Sequence, residues 1–167
     1  MLYKIYLRLF TRDIKHYWKR RGKAAHAKSR LVRLCNLLSV NRYHAKYNAH
    51  IHVAAKIANM PTFPHELNGI FISAGAQIGE NCVIFHQVTI GSNTLSDSNR
   101  GAPIIGDNVY IGAGAKIIGN VRIGDNVRIG ANCVVAKDVP ADSTVVLQAA
   151  KIIAHTESKD NAFYSFS

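Results

Sequence analysis

An aliphatic residue returns at every sixth position along much of this chain, and few folds satisfy that period. It falls at Ile72, Ile78, Ile84 and Ile90, then at Ile105, Ile111, Ile117, Ile123, Ile129 and Val135. Four residues after each beat up to Ile129, the gap after Ile90 excepted, stands a second small or aliphatic residue: Ala76, Cys82, Val88, Val109, Ala115, Val121, Val127 and Cys133. Three residues after the beat come Gly75, Asn81, Asn108, Gly114, Asn120, Asn126 and Asn132, types that tolerate a left-handed backbone at a corner. Strands this short cannot bury an apolar face alone, so successive turns must stack with the beat residues in a continuous interior column. Three hexads per turn make a triangular coil. The period does not fix its handedness.

The beat slips twice, from Ile57 to Ile72 and from Ile90 to Ile105. Inserted residues on a solenoid are loops, and loops tend to carry binding and catalysis. The first slip holds Pro61, Pro64 and His65; the second, Gly91–Pro103, is polar and holds Asp97 and Arg100. Ile57 and Ile105 share one phase, so the two slips cancel.

Charge divides the chain in a different place. Residues 1–50 carry 13 Lys/Arg against a single acid, Asp13, while the remainder carries 8 basic and 9 acidic residues. The net charge of +11 therefore belongs to the N-terminal segment. Residues 2–20 read as an amphipathic helix with Leu2, Ile5, Tyr6, Leu9, Phe10 and Ile14 on one side, ended near Arg20-Arg21-Gly22. A second helix is expected over 24–38, with Leu31, Leu34, Cys35 and Leu38 as its apolar stripe. The expected division is a basic helical segment over 1–48, a coil over 49–155 and a flexible tail over 156–167. Ser143–Val146 and Lys151–Ile153 are candidate capping strands. Charges interrupt the N-terminal run every few residues, so neither a signal peptide nor a membrane span is expected, and the three cysteines fit reduced thiols in a cytoplasmic protein.

The repeats Ile-Gly-Glu-Asn-Cys, Ile-Gly-Asp-Asn-Val and Ile-Gly-Ala-Asn-Cys resemble the hexapeptide acyltransferases, whose fold is a left-handed parallel β-helix. Ile51–Ile57, His65–Ile72, Val88–Gly91, Ile111–Gly119 and Val134–Pro140 are similar, in order, to the serine O-acetyltransferase branch over roughly residues 50–153. Within it the nearest likeness is to short enzymes of capsule and exopolysaccharide clusters that acetylate sugars. Two departures from the serine enzymes support that choice: a basic segment of residues 1–48 stands where those enzymes carry a long helical domain, and their serine-contacting Arg-His pair falls on Gly101-Ala102. The resemblance thus implies an acetyl-CoA-dependent O-acetyltransferase acting on a saccharide, without a metal. Serine acetylation for cysteine synthesis is the alternative, and a non-catalytic trimeric scaffold a third reading.

Acetyl transfer from a thioester to a hydroxyl needs a base for the hydroxyl proton and donors for the tetrahedral oxyanion. By resemblance the family base falls on His65, with His86 its rival. The family's orienting carboxylate falls on His50, which is no acid, leaving Glu66, a neighbouring subunit's carboxylate or a backbone carbonyl to hold the imidazole. Coenzyme A contacts fall on Ser92, Ala113, Arg128 and Ala131, with Lys137 near the phosphates, where cations suit the anionic nucleotide. The family's Gly-x-Pro-Ala turn is replaced by Leu147-Gln148-Ala149-Ala150. Arg100 and Asp97 are candidate acceptor contacts, unless their loop is simply solvated. The resemblance also implies a homotrimer with sites between subunits. For the basic segment three readings stand: a helical cap, a peripheral contact with anionic membrane, and nucleic-acid binding, the last disfavoured because no recognition module accompanies the charge.

Overall fold

The computed structural model of the chain describes residues 2–96, 99–148 and 152, with side chains from residue 13 onward. Helices α1 (Leu2–His26) and α2 (Arg30–Tyr47) precede the coil. Its strands are two or three residues long: β1 (His50–Ile51), β2 (Lys56–Ile57), β3 (Phe71–Ile72), β4 (Gln77–Ile78), β5 (Val83–Ile84), β6 (Thr89–Gly91) and β7 (Ile104–Ile105) come first. They continue as β8 (Tyr110–Ile111), β9 (Lys116–Ile118), β10 (Arg122–Ile123), β11 (Arg128–Ile129), β12 (Val134–Val135) and β13 (Thr144–Val145). The strands sort into three faces, β1-β3-β6-β9-β12, β2-β4-β7-β10 and β5-β8-β11-β13, and every pairing between them is parallel. The domain is a left-handed parallel β-helix with N-terminal helices.

Its register explains the slips. Where the beat is regular, stacked partners lie one 18-residue turn apart, as Ile72 does from Ile90 and Ile111 from Ile129. Across the first slip the partners are 21 residues apart, Ile51 with Ile72 and Ile57 with Ile78. Across the second they are 27 apart, Ile78 with Ile105 and Ile84 with Ile111. The insertions are therefore three and nine residues, although both intervals between beats read as 15. The first interval conceals a side of the triangle: Thr62 bridges in parallel to Val83, and Phe63 packs against the core beneath it.

The beat residues are the interior. Ile51, Ile72, Ile90, Ile117 and Val135 form one buried column, Ile78, Ile105 and Ile123 a second, and Ile84, Ile111 and Ile129 a third. Each such side chain contributes roughly 1.5–3 kcal/mol on leaving water. Asn81, Asn108, Asn126 and Asn132 take φ between 55° and 59° at the corners, and Gly114 takes 71°. Gly75 and Asn120 were expected there too, but Gly119 turns the corner beside Asn120. At Gly112 a Cβ would lie 2.7 Å from the Ala131 nitrogen, so the turns stack there at backbone contact.

Both helices differ from expectation. The first does not stop at Gly22 but continues to His26, and the second runs to Tyr47, where Asn48 caps it in the left-handed conformation. The stripe Leu31, Leu34, Cys35 and Leu38 faces solvent; the side of α2 that packs inward is Asn36, Val40, His44 and Tyr47. Polar groups explain this inversion. His44 Nε2 accepts hydrogen bonds from the Ile51 amide at 3.2 Å and the Tyr17 hydroxyl at 3.0 Å, binding α2 to the first strand. The buried Arg21 guanidinium donates to the carbonyls of His52 and Ala55, binding α1 to the first turn. Asp13 accepts from Lys46, Tyr43 and Tyr47, and Lys46 first among them holds its carboxyl below the usual range.

The structure does describe a capping strand at Thr144–Val145, paired with β11; the Lys151–Ile153 candidate and the 156–167 tail lie outside the described residues apart from Ile152. No helix among the described residues is long and apolar enough to cross a membrane.

Two stability measurements follow. A Cβ at Gly22 meets nothing within 4 Å, so Gly22→Ala should raise stability by about 1 kcal/mol, read from the urea midpoint. Burial, reinforced by His50 and Arg21, pushes His44 down to about 4 from an ordinary value of 6.5. The unfolded chain then binds the extra proton between those values, so His44 stabilises the fold above about pH 6.5 and loses that effect as pH falls toward 4. The loss should be on the order of 3 kcal/mol and should shrink in His44→Gln.

Candidate functional site

The first insertion projects from the coil by a short chain of local bonds. After Phe63, the Glu66 amide donates to the Phe63 carbonyl at 3.1 Å, Asn68 Nδ2 to the His65 carbonyl at 2.8 Å, and the Ile70 amide to the Leu67 carbonyl at 3.0 Å. Glu66 and Gly69 adopt φ of 57° and 67°, and fully buried Leu67 pins the turn to the core. With Leu67 pointing in, His65 is left on the outside, exposed.

Its neighbours come from the next turn. His86 follows β5 and is half-buried; its ring centre lies 4.9 Å from that of His65, the planes nearly perpendicular at 85°. Phe85 lies 5.6 Å from His65 on the other side of the same segment, and Tyr110 extends the aromatic surface at 5.1 Å from Phe85. The backbone under His86 is held by the Gly114 amide, which donates to the His86 carbonyl, and by Lys116 Nζ, which donates to the Gln87 carbonyl. Gln87 takes φ of 59°, a conformation costly for such a residue, and stands where other corners use Asn or Gly. The His86 Nδ1 is buried without a hydrogen-bond partner among the described residues.

The base candidate and its rival are thus one pair. None of the side chains proposed to orient His65 within the chain reaches it. His50 faces His44 and His52, with ring centres at 5.0 and 6.0 Å. Glu66 turns toward Tyr47, whose hydroxyl is pushed up to about 12, by burial first and then by the neighbouring carboxylates of Glu66 and Asp13. The rings beside His65 are those of His86 and Phe85.

The second insertion forms a separate surface. Reciprocal bonds between the Asn93 and Gly101 backbones, at 2.8 and 3.0 Å, pinch its base, and Ser92 Oγ lies 2.9 Å from Ser73 Oγ. Beside it runs a groove of about 430 Å³ lined by Ser92, Thr94, Arg100, Gly101, Ala102 and Asn120. Arg100 and Ser92, expected to contact acceptor and coenzyme A respectively, share this groove, and Asp97 lies outside the described residues. His65 does not line it. Of the other coenzyme A candidates, Ala113 and Ala131 meet on successive turns, where the Asn132 amide donates to the Ala113 carbonyl at 2.8 Å. Arg128 is exposed on β11, opposite Tyr110 in the ladder, and Lys137 is exposed beyond β12. A larger hollow of about 740 Å³ lies elsewhere, between the end of α1 and the β2-β4-β7 face.

Sequence reading passed over Phe85, Tyr110 and Gln87. The available signal was a pair of outward aromatics beside consecutive beats of one face and a Gln at a corner position.

Comparison with known proteins narrows the chemistry. Residues 102–137 match the bacterial transferase hexapeptide (six repeats) family. The chain is 36% identical over 146 residues to the serine acetyltransferase of Buchnera aphidicola subsp. Acyrthosiphon pisum, an alignment covering 87% of this chain and 50% of that protein. It is 46% identical over 122 residues to the chloroplastic serine acetyltransferase 1 of Arabidopsis thaliana, covering 73% and 38%. Among solved structures, the Neisseria gonorrhoeae serine acetyltransferase in complex with serine aligns at 39% identity and TM-score 0.60, covering 71% of this chain and 48% of that one. The soybean enzyme complexed with serine aligns at 34% and 0.67, covering 82% and 56%. The chain spans about half the length of the curated relatives it matches. The sequence alone led to a saccharide acceptor, and these relatives are named for serine.

Proposed function

We propose that the chain, whose residues 102–137 match the bacterial transferase hexapeptide family, transfers an acetyl group from acetyl-CoA to the hydroxyl of L-serine, with His65 as the general base. The observation that carries the assignment is the placement of His65: an exposed imidazole on a turn braced by Leu67, at the first of the two breaks in the coil. As the acceptor oxygen attacks the thioester carbon, the imidazole takes its proton. When the tetrahedral intermediate collapses and the carbon–sulfur bond breaks, the proton returns to the departing thiolate. His86, packed edge-on against His65, restricts the ring to productive orientations in place of the carboxylate that the family supplies at the position of His50.

Ala113 and Ala131 leave room for the pantetheine arm along the stacked turns, and Arg128 and Lys137 supply cations for the nucleotide phosphates. The groove of Ser92 and Arg100 does not include His65 within one chain. A homotrimer that sets the loop of one subunit beside His65 of the next completes the site, and closed cyclic symmetry covers the flat faces of the coil.

A saccharide hydroxyl is the second reading. It is favoured by Gly101 and Ala102 in the groove, where the serine branch is expected to present an Arg-His pair and this chain offers only Arg100.

Thiol release from acetyl-CoA should be measured with L-serine, nucleotide sugars and oligosaccharides as acceptors. O-acetylserine formation is expected, and turnover of sugars alone would overturn the serine assignment. His65→Ala should lower kcat by about 10²-fold or more, the usual contribution of a positioned base. His86→Ala should lower kcat less, and full activity in His65→Ala beside an inactive His86→Ala would reverse the roles.

A further inference from the structure

We infer that the outward face of α2 is a docking surface for an anionic lipid membrane. Leu31, Val32, Leu34 and Leu38 are exposed at 70%, 47%, 54% and 62%, an unusual concentration of aliphatic surface on one short stretch. Leu31, Leu34 and Leu38 follow one another at helical spacing, so they form a continuous ridge. The opposite side of the helix is occupied by its contacts with α1 and the first strand, which leaves this ridge without a partner among the described residues. Arg30 and Arg33 are exposed beside it and, with Leu31, Leu34 and Leu37, line a shallow recess.

The charge around the ridge selects its partner. The α2 sequence contains no acidic residue, and the single acid of α1, Asp13, is already engaged by Lys46, Tyr43 and Tyr47. A second copy of the helix would cover the leucines but would bring arginines together with no carboxylate to pair them. A nucleic acid would answer the charge and leave the leucines in water. An anionic bilayer satisfies both: the leucines enter the acyl boundary while arginines and lysines meet the headgroups. No helix among the described residues spans a membrane, so the contact is peripheral. This surface is independent of which hydroxyl the enzyme acetylates.

The test is co-sedimentation of the full chain with vesicles of phosphatidylcholine alone or mixed with phosphatidylglycerol. Binding is expected to the mixed vesicles only, to weaken in high salt, and to fall at least tenfold in Leu31→Ser/Leu34→Ser/Leu38→Ser with acetyl transfer and assembly mass unchanged. Absence of binding to mixed vesicles, or equal binding by the triple variant, would overturn the proposal. A triple variant of lower assembly mass would make the ridge an interface between copies, which also overturns it. So would tighter binding to an oligonucleotide that the leucine substitutions leave untouched.

Discussion

The vertical stacking of aliphatic side chains inside the coil is the constraint on which the rest of this molecule depends. Strands of two residues have too few hydrogen bonds to hold themselves, so each turn is defined by the turn it rests on. Ile72 must sit over Ile90 and Ile111 over Ile129, or the interior column opens. Extra residues are tolerated only where they leave the stack and return in phase, because a chain that re-enters out of register would present a corner residue to the core. The three- and nine-residue insertions meet that condition separately, each restoring the triangle within its own turn. The coil can therefore display irregular segments at fixed heights without disturbing its interior.

That rigidity gives the site its geometry. His65 and His86 are 21 residues apart in sequence, one turn plus the insertion, so they arrive side by side on the same flank. Their backbones are held by different turns: Leu67 anchors one, and the Gly114 and Lys116 bonds anchor the other. The unfavourable φ of Gln87 is part of the same arrangement, since its amide donates to the Asn68 carbonyl at the end of the His65 turn. A strained corner is retained where it ties the two imidazole segments together. The second insertion stands on another flank, and for that reason the proposed chemistry requires more than one subunit.

The hexad made the coil legible because period six has so few solutions, and the Asn residues made most corners legible because few side chains accept a left-handed backbone. The helices were less readable. Periodicity shows that a helix has two faces, but Leu31, Leu34 and Leu38 gave no sign that the polar face carrying Asn36 and His44 would turn inward. That outcome depends on the Ile51 amide and Tyr17 hydroxyl, contacts made only in the folded chain. Gly22 was equally misleading: a helix stop in isolation, it is carried through by packing of α1 on both sides of it, at Arg21 and Ala24. Sequence motifs singled out His65 and His86 as rivals but gave no sign that their rings touch, since contact across a turn is invisible when the length of the insertion is hidden. On the acceptor, Gly101-Ala102 pointed to a saccharide, whereas the relatives matched across the repeat region are named for serine.

The central claim is that His65 stands at the reacting centre of a coenzyme A-dependent transfer. A crystal structure of the full chain grown with coenzyme A measures this directly, through the separation of the coenzyme sulfur from the His65 imidazole in the assembled protein. The account predicts that the sulfur comes within about 3–4 Å of that ring, the range in which a proton can be exchanged directly, with the pantetheine arm running past Ala113 and Ala131. A sulfur bound well away from His65, or beside an imidazole other than His65, would contradict it.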